Sequence, residues 1–133
     1  MSVIFDLRVI DTSWAKSVNE ALQSDSPVYI EENGAVGSDL WWHNYGSGNI
    51  LYQIKSGVVS YVGEKIDFFN EECNIVEINF DGKLVEYNLS GYWKNSEVKV
   101  GAIVKVEFFE ICVKQKYGST TFIFECFVEV VRT

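Results

Sequence analysis

The segment Val76-Glu77-Ile78-Asn79-Phe80-Asp81-Gly82-Lys83-Leu84-Val85-Glu86-Tyr87 reads as a β-hairpin. Asp-Gly between runs of alternating apolar residues is the signature of a two-residue type I′ turn, whose central positions need positive φ. With that turn, Phe80 stands opposite Lys83, Asn79 opposite Leu84, Ile78 opposite Val85, Glu77 opposite Glu86, and Val76 opposite Tyr87. Opposed residues share a face of the sheet. Val76, Ile78, Val85 and Tyr87 therefore make an apolar face, and Glu77 and Glu86 meet on the other.

Downstream of this hairpin the pattern predicts a second, longer one. Val98, Val100, Ala102, Val104, Val106 and Phe108 alternate with Lys99, Gly101, Lys105 and Glu107, and Phe122, Phe124, Cys126, Val128 and Val130 alternate after a turn near Tyr117-Gly118-Ser119-Thr120. The doublet Phe108-Phe109 breaks the period and predicts a bulge that swaps faces ahead of Ile111 and Val113. Both strands exceed the usual length, so strong twist is expected.

Upstream of the Asp81-Gly82 hairpin the pattern changes. Val3 to Ile10 has strand character, and Asp11, Thr12 and Ser13 offer side-chain oxygens for a helix N-cap. Trp14, Val18, Ala21 and Leu22 then fall on one helical stripe, which predicts a single helix over about residues 13–23. Pro27 disfavours helical geometry at Ser26 and ends it. Val28-Tyr29-Ile30 reads as a short strand, and residues 31–49, with glycines at 34, 37, 46 and 48, read as a long loop of the kind that often carries function.

About five strands after residue 50, one or two before it and one helix describe a mainly β (α+β) domain spanning residues 1–133, with its β-rich region over 50–131. The architecture expected is a small curled antiparallel sheet, or a five-to-six-stranded barrel with one N-terminal helix. The order of Gly57 to Gly63, the Asp81-Gly82 hairpin and Val98 to Val104 resembles that of OB-type barrels.

Charge and chemistry narrow the function classes. The 133 residues carry 19 acidic and 11 basic side chains, a net charge of −8. That field repels phosphate backbones and attracts cationic partners, so nucleic acid is the disfavoured ligand and a basic protein the favoured one. Carboxylates cluster at Glu31-Glu32, Glu64 to Asp67 and Glu71-Glu72, while the densest basic spot is Lys114 and Lys116. No stretch is apolar enough to span a membrane. The cysteines, Cys73, Cys112 and Cys126, are odd in number and unpatterned, which fits a reducing cytoplasm.

No catalytic frame is legible. His43 is the only histidine, no G-x-S-x-G elbow surrounds a serine, and no C-x-x-C pair supports zinc, so neither cofactor nor metal is expected. Gly46-Ser47-Gly48 lacks the following glycine and lysine of a phosphate-binding loop. Glu77 and Glu86 form a pair of the kind glycosidases use, but like charges directly opposite are destabilising, so a basic side chain such as Lys105 is expected to relieve them. If none did, a raised pKa or a bound cation would be implied.

The richest segment is Asp39-Leu40-Trp41-Trp42-His43-Asn44-Tyr45. On an extended backbone its adjacent tryptophans take opposite faces, leaving one outside near His43 and Tyr45. Trp and Tyr carry much of the energy of protein interfaces. Asp39, Trp41, Trp42, His43, Tyr45, Glu77 and Glu86 are therefore the expected binding residues. The expected function is a non-enzymatic inhibitor or immunity-type protein, of bacterial style, that neutralises a basic toxin or nuclease by contact. An OB-like barrel that binds single-stranded nucleic acid or oligosaccharide, and a small carboxylate-dependent enzyme, are the alternatives.

Overall fold

The computed structural model describes residues 2–9, 13–66, 72–115 and 118–132. Among these, the elements in sequence order are β1 (Ser2–Asp6), α1 (Ser13–Asp25), α2 (Pro27–Asn33), α3 (Asp39–Gly46), β2 (Tyr52–Ile66), β3 (Glu72–Phe80), β4 (Lys83–Asn88), a 3-10 turn (Gly91–Trp93), β5 (Ile103–Gln115) and β6 (Gly118–Arg132). The expected Asp11 and Thr12 caps, Asp67, Glu71, Lys116 and Tyr117 lie outside the described residues.

The Asp81-Gly82 hairpin forms in the register its sequence dictates, from Phe80 opposite Lys83 to Val76 opposite Tyr87. Asp81 and Gly82 have φ of 54° and 94°, both positive as a type I′ turn demands. Val76 and Ile78 have no exposed surface, so the apolar face points into a core.

The strands form one open antiparallel sheet in the order β1-β6-β5-β2-β3-β4. The sheet does not close into the expected barrel: β1 and β4 stand at the two ends of the order, with no pairing between them among the described residues, and a run of ring contacts links them. Tyr87 on β4 stacks on Trp93 at 4.6 Å, Trp93 meets Tyr92 at 5.2 Å, and Tyr92 stacks on Phe5 of β1 at 4.5 Å.

The face swap at the phenylalanine doublet is visible in burial. Val104 and Val106 are buried, then Phe109, Ile111 and Val113, so the alternation changes phase across Glu107 and Phe108. Register shifts interrupt the β1–β6 ladder between Val3 and Phe5, and the β2–β3 ladder between Val59 and Tyr61.

The helical content is where the sequence reading needs correction. Three α-helices are present among the described residues, not one. Pro27 ends α1 and also begins α2, because its fixed φ and missing N–H suit a first helical position. The expected strand at Val28–Ile30 is therefore helical, and Tyr29 turns inward from it. The expected loop over 31–49 contains α3, which Ser38 caps by accepting a hydrogen bond from the Trp41 N–H at 3.2 Å.

The molecule divides into two compact units. One comprises residues 1–6, 54–106 and 127–133; the other comprises residues 7–53 and 107–126. The first holds a core of valines and isoleucines, among them Val59, Val76, Ile78, Val104 and Val128. The second holds the three helices with an aromatic core around Trp41 and Phe109.

A Cβ placed on Gly57 would lie 2.6 Å from Ile78 Cγ2 and 2.8 Å from Phe80 Cδ1, in the tightly packed first core. Gly57→Ala is therefore expected to lower stability by about 1–3 kcal/mol in urea unfolding. Gly46→Ala, where a Cβ meets nothing within 4 Å, should cost nothing measurable; equal effects would show that the hairpin does not pack against β2 as described.

Candidate functional site

The residues from Asp39 to Tyr45 lie on α3, and helical geometry changes what they present. Adjacent residues on a helix are about 100° apart, so the tryptophans are not forced onto opposite sides. Trp41 and Tyr45, one turn apart, both point inward, and Trp41 has no exposed surface. Trp42 is half-buried, while Asp39, Leu40 and His43 are exposed.

Trp41 is held by rings on several sides. Its ring centroid lies 5.2 Å from Phe109, 5.3 Å from Tyr45 and 4.7 Å from Trp42. Its indole N–H donates to the Tyr29 hydroxyl at 3.2 Å, which satisfies the one polar group that burial would orphan. Gly34, with φ of 87°, allows the α2–α3 connection to turn back closely: a Cβ there would sit 3.1 Å from Leu40 and from the Trp41 nitrogen. Asn44 Nδ2 donates to the Asn33 carbonyl at 2.9 Å and ties α3 to the end of α2.

At the other side of α3 a small polar network is partly buried. The Tyr45 hydroxyl donates to Glu107 Oε2 at 2.5 Å, and Arg8 Nη2 lies 4.0 Å from the same oxygen. The Arg8 guanidinium also sits 4.9 Å over the Trp42 ring, a cation–π contact. Burial, then the bond to Glu107, raises the Tyr45 pKa. Burial likewise pushes the Cys126 thiol, beside this pair, up to about 12. A thiol so placed is a packing residue and a poor nucleophile at neutral pH.

Arg8, Asp39, Trp42 and Tyr45, with Gly37 and Gly46, line an open cleft of about 490 Å3. The sequence reading missed Arg8 and Glu107. Glu107 alternates with Val106 and Phe108 and so reads as an outward residue; only the phase change at the phenylalanine doublet signals that it turns toward Tyr45.

The three helices carry an excess of carboxylates. Glu20, Asp25, Glu31, Glu32 and Asp39 are all exposed on the three helices, with Lys16 the one basic residue between positions 13 and 46. One lysine against five carboxylates is a balance of −4 out of a total of −8.

Glu77 and Glu86 belong to the other unit and face each other as expected. Relief comes from β2, and not from Lys105: Glu86 pairs with Lys65, and Glu77 Oε1 accepts from Ser60 Oγ at 2.8 Å. The bond to Glu86 raises the Lys65 pKa. The facing carboxylates therefore need no external cation.

Among the described residues no group of three or more His, Cys, Asp or Glu could hold a metal ion, and no helix is long and apolar enough to cross a membrane. No protein-family model matches the sequence, and no curated protein does.

Two outcomes test this geometry. Tyr45→Phe should cost about 1–3 kcal/mol at neutral pH, because it removes a hydrogen bond to a charged group. The folded Tyr45 holds its proton beyond the ordinary value of 10, so its contribution is complete below pH 10 and drains as pH rises above it. Wild type should then lose stability above pH 10 more steeply than Tyr45→Phe, and parallel profiles would contradict the bond to Glu107. In alkylation followed by mass spectrometry, exposed Cys112 should be labelled in the native protein and Cys126 only on unfolding.

Proposed function

We propose that this is a non-enzymatic protein-binding domain that neutralises a basic protein, in the manner of an inhibitor or immunity protein. The surface of α1, α2 and α3 is the contact. The observation that carries this reading is the exposed carboxylate set of the three helices, Glu20, Asp25, Glu31, Glu32 and Asp39, together with the exposed Leu40 and His43 of α3.

Each part of that surface has a physical role in such a complex. The carboxylates steer a cationic partner and raise the association rate. Leu40, 56% exposed, and the accessible part of Trp42 supply apolar area where the surfaces meet. The buried Trp41 and Tyr45 act as a platform: they hold α3 rigid, which lowers the ordering cost of binding. The three free cysteines accord with a reducing, cytoplasmic setting.

The test is capture from the source organism, identification of the bound protein, and kinetics of the purified pair. A partner of high isoelectric point is expected, with an association rate that falls about tenfold between about 0.05 M and 0.5 M salt. The double variant Glu31→Lys, Glu32→Lys should slow association by a similar factor and leave the fold unchanged. An acidic partner, or kinetics indifferent to both salt and the charge reversal, would overturn the proposal.

A further inference from the structure

A pocket of about 240 Å3 takes its walls from Ser26, α2, the segment ahead of β2, and β5. Val28, Ile50 and Leu51 give it apolar sides. The Glu110 N–H donates to the Leu51 carbonyl at 3.0 Å and ties that segment to β5. The volume lies below the roughly 300–1,000 Å3 of sites for drug-sized ligands, so it suits a group about as large as one side chain.

The charged residues of the lining are Glu32 and Glu110, and no lysine, arginine or histidine joins them. Glu32 is exposed on α2, whereas Glu110 is half-buried on β5. Among the described residues neither carboxylate forms an ion pair or accepts a hydrogen bond. A carboxylate partly withdrawn from water without a counter-charge costs free energy.

A second observation comes from Ser26, between α1 and α2. It is 7% exposed, the one buried polar residue among those described. Its side chain does not cap α2 and bonds to no other described group. Among the described residues no fully enclosed side-chain oxygen or nitrogen lacks a partner. The unbonded Ser26 hydroxyl therefore keeps its access to a cavity, and this pocket is the one it lines.

We propose that the pocket binds a primary ammonium group on a short aliphatic stem. An ammonium carries three donors and no acceptor. Glu32, Glu110 and Ser26 offer it acceptors that the protein leaves unused, and Val28, Ile50 and Leu51 offer the stem apolar contact. An anion would meet two carboxylates and no cation. An uncharged ligand would leave Glu110 half-buried without a counter-charge. A metal ion is disfavoured because no group of three His, Cys, Asp or Glu among the described residues could hold one.

A free alkylamine and a lysine side chain share this chemistry. The site goes beyond the proposed contact with a basic protein, because it needs no protein partner and depends on Glu110, which lies on β5 and not on the helices. Either can fail while the other stands.

Titration of the isolated, isotope-labelled protein with n-butylammonium chloride at constant ionic strength, followed by amide NMR, tests the proposal. Saturable shifts are expected at residues 26–33, 49–51 and 110–112, with a Kd of about 1–10 mM. The uncharged n-butanol should bind at least about tenfold more weakly. Glu110→Gln should raise the Kd roughly tenfold, whereas Glu64→Gln, which removes the same charge from an exposed position on β2, should leave it unaltered. Ser26→Ala should raise it about threefold without lowering the melting temperature, since the hydroxyl caps nothing. Nα-acetyl-lysine methylamide separates the two sources: binding as tight as that of n-butylammonium supports a protein side chain, and weaker binding supports a free amine. No saturable shift at these residues up to about 50 mM, equal binding of n-butanol, an unchanged Kd in Ser26→Ala, or equal losses in Glu64→Gln and Glu110→Gln would overturn the proposal.

Discussion

The burial of Trp41 is the constraint on which the helical layer depends. An indole of this size removes roughly 200 Å2 of surface from water, on the order of 5 kcal/mol. The fold must then supply a partner for its N–H and a wall for each ring face. Tyr29 from α2 supplies the first, and Phe109, Tyr45 and Trp42 supply the walls. Two of these tie a separate element to α3: α2 through Tyr29 and β5 through Phe109. Trp14 of α1 joins through Phe109 and Phe124, at 6.3 Å and 5.3 Å. Three short helices, none stable in isolation at these lengths, are thereby fixed as one layer.

What the layer hides decides what it shows. With Trp41 and Tyr45 inside, the helical repeat places Asp39, Leu40 and His43 outside, and the exposed faces of α1 and α2 add their carboxylates. The polar network under Trp42 is part of the same arrangement. Glu107 accepts from Tyr45 and neighbours Arg8, and Arg8 in turn covers Trp42. Two reactive groups beneath this surface are engaged in packing: the Cys126 thiol is buried, and Tyr45 is bound to a carboxylate. Such a surface is acidic and partly apolar.

The β half of the fold is legible in the sequence because its signals are local and of period two. Asp81-Gly82 sets both turn and register, and the doublet Phe108-Phe109 marks the change of phase in β5. The helical half is legible only in α1, whose stripe from Trp14 to Leu22 predicts it; α2 and α3 are hidden for identifiable reasons. Pro27 reads as a terminator, but it also starts the next helix, and a seven-residue helix such as α2 spans too few turns to show a stripe. Around α3 the glycines at 34, 37, 46 and 48 dominate the composition, and the pair Trp41 and Tyr45 is the sole periodic clue. The run of ring contacts from Tyr87 to Phe5 joins residues far apart in sequence and has no local signal. Of the expected site residues, Asp39 to Tyr45 do share one element, though Trp41 and Tyr45 serve as its core.

The most direct measurement is amide NMR on the isotope-labelled protein during titration with a lysine-rich polypeptide. Shifts confined to the exposed residues of α1, α2 and α3, and abolished by added salt, are the expected result. Shifts centred on Glu77 and Glu86, or none anywhere, would contradict the assignment of recognition to the acidic helical surface.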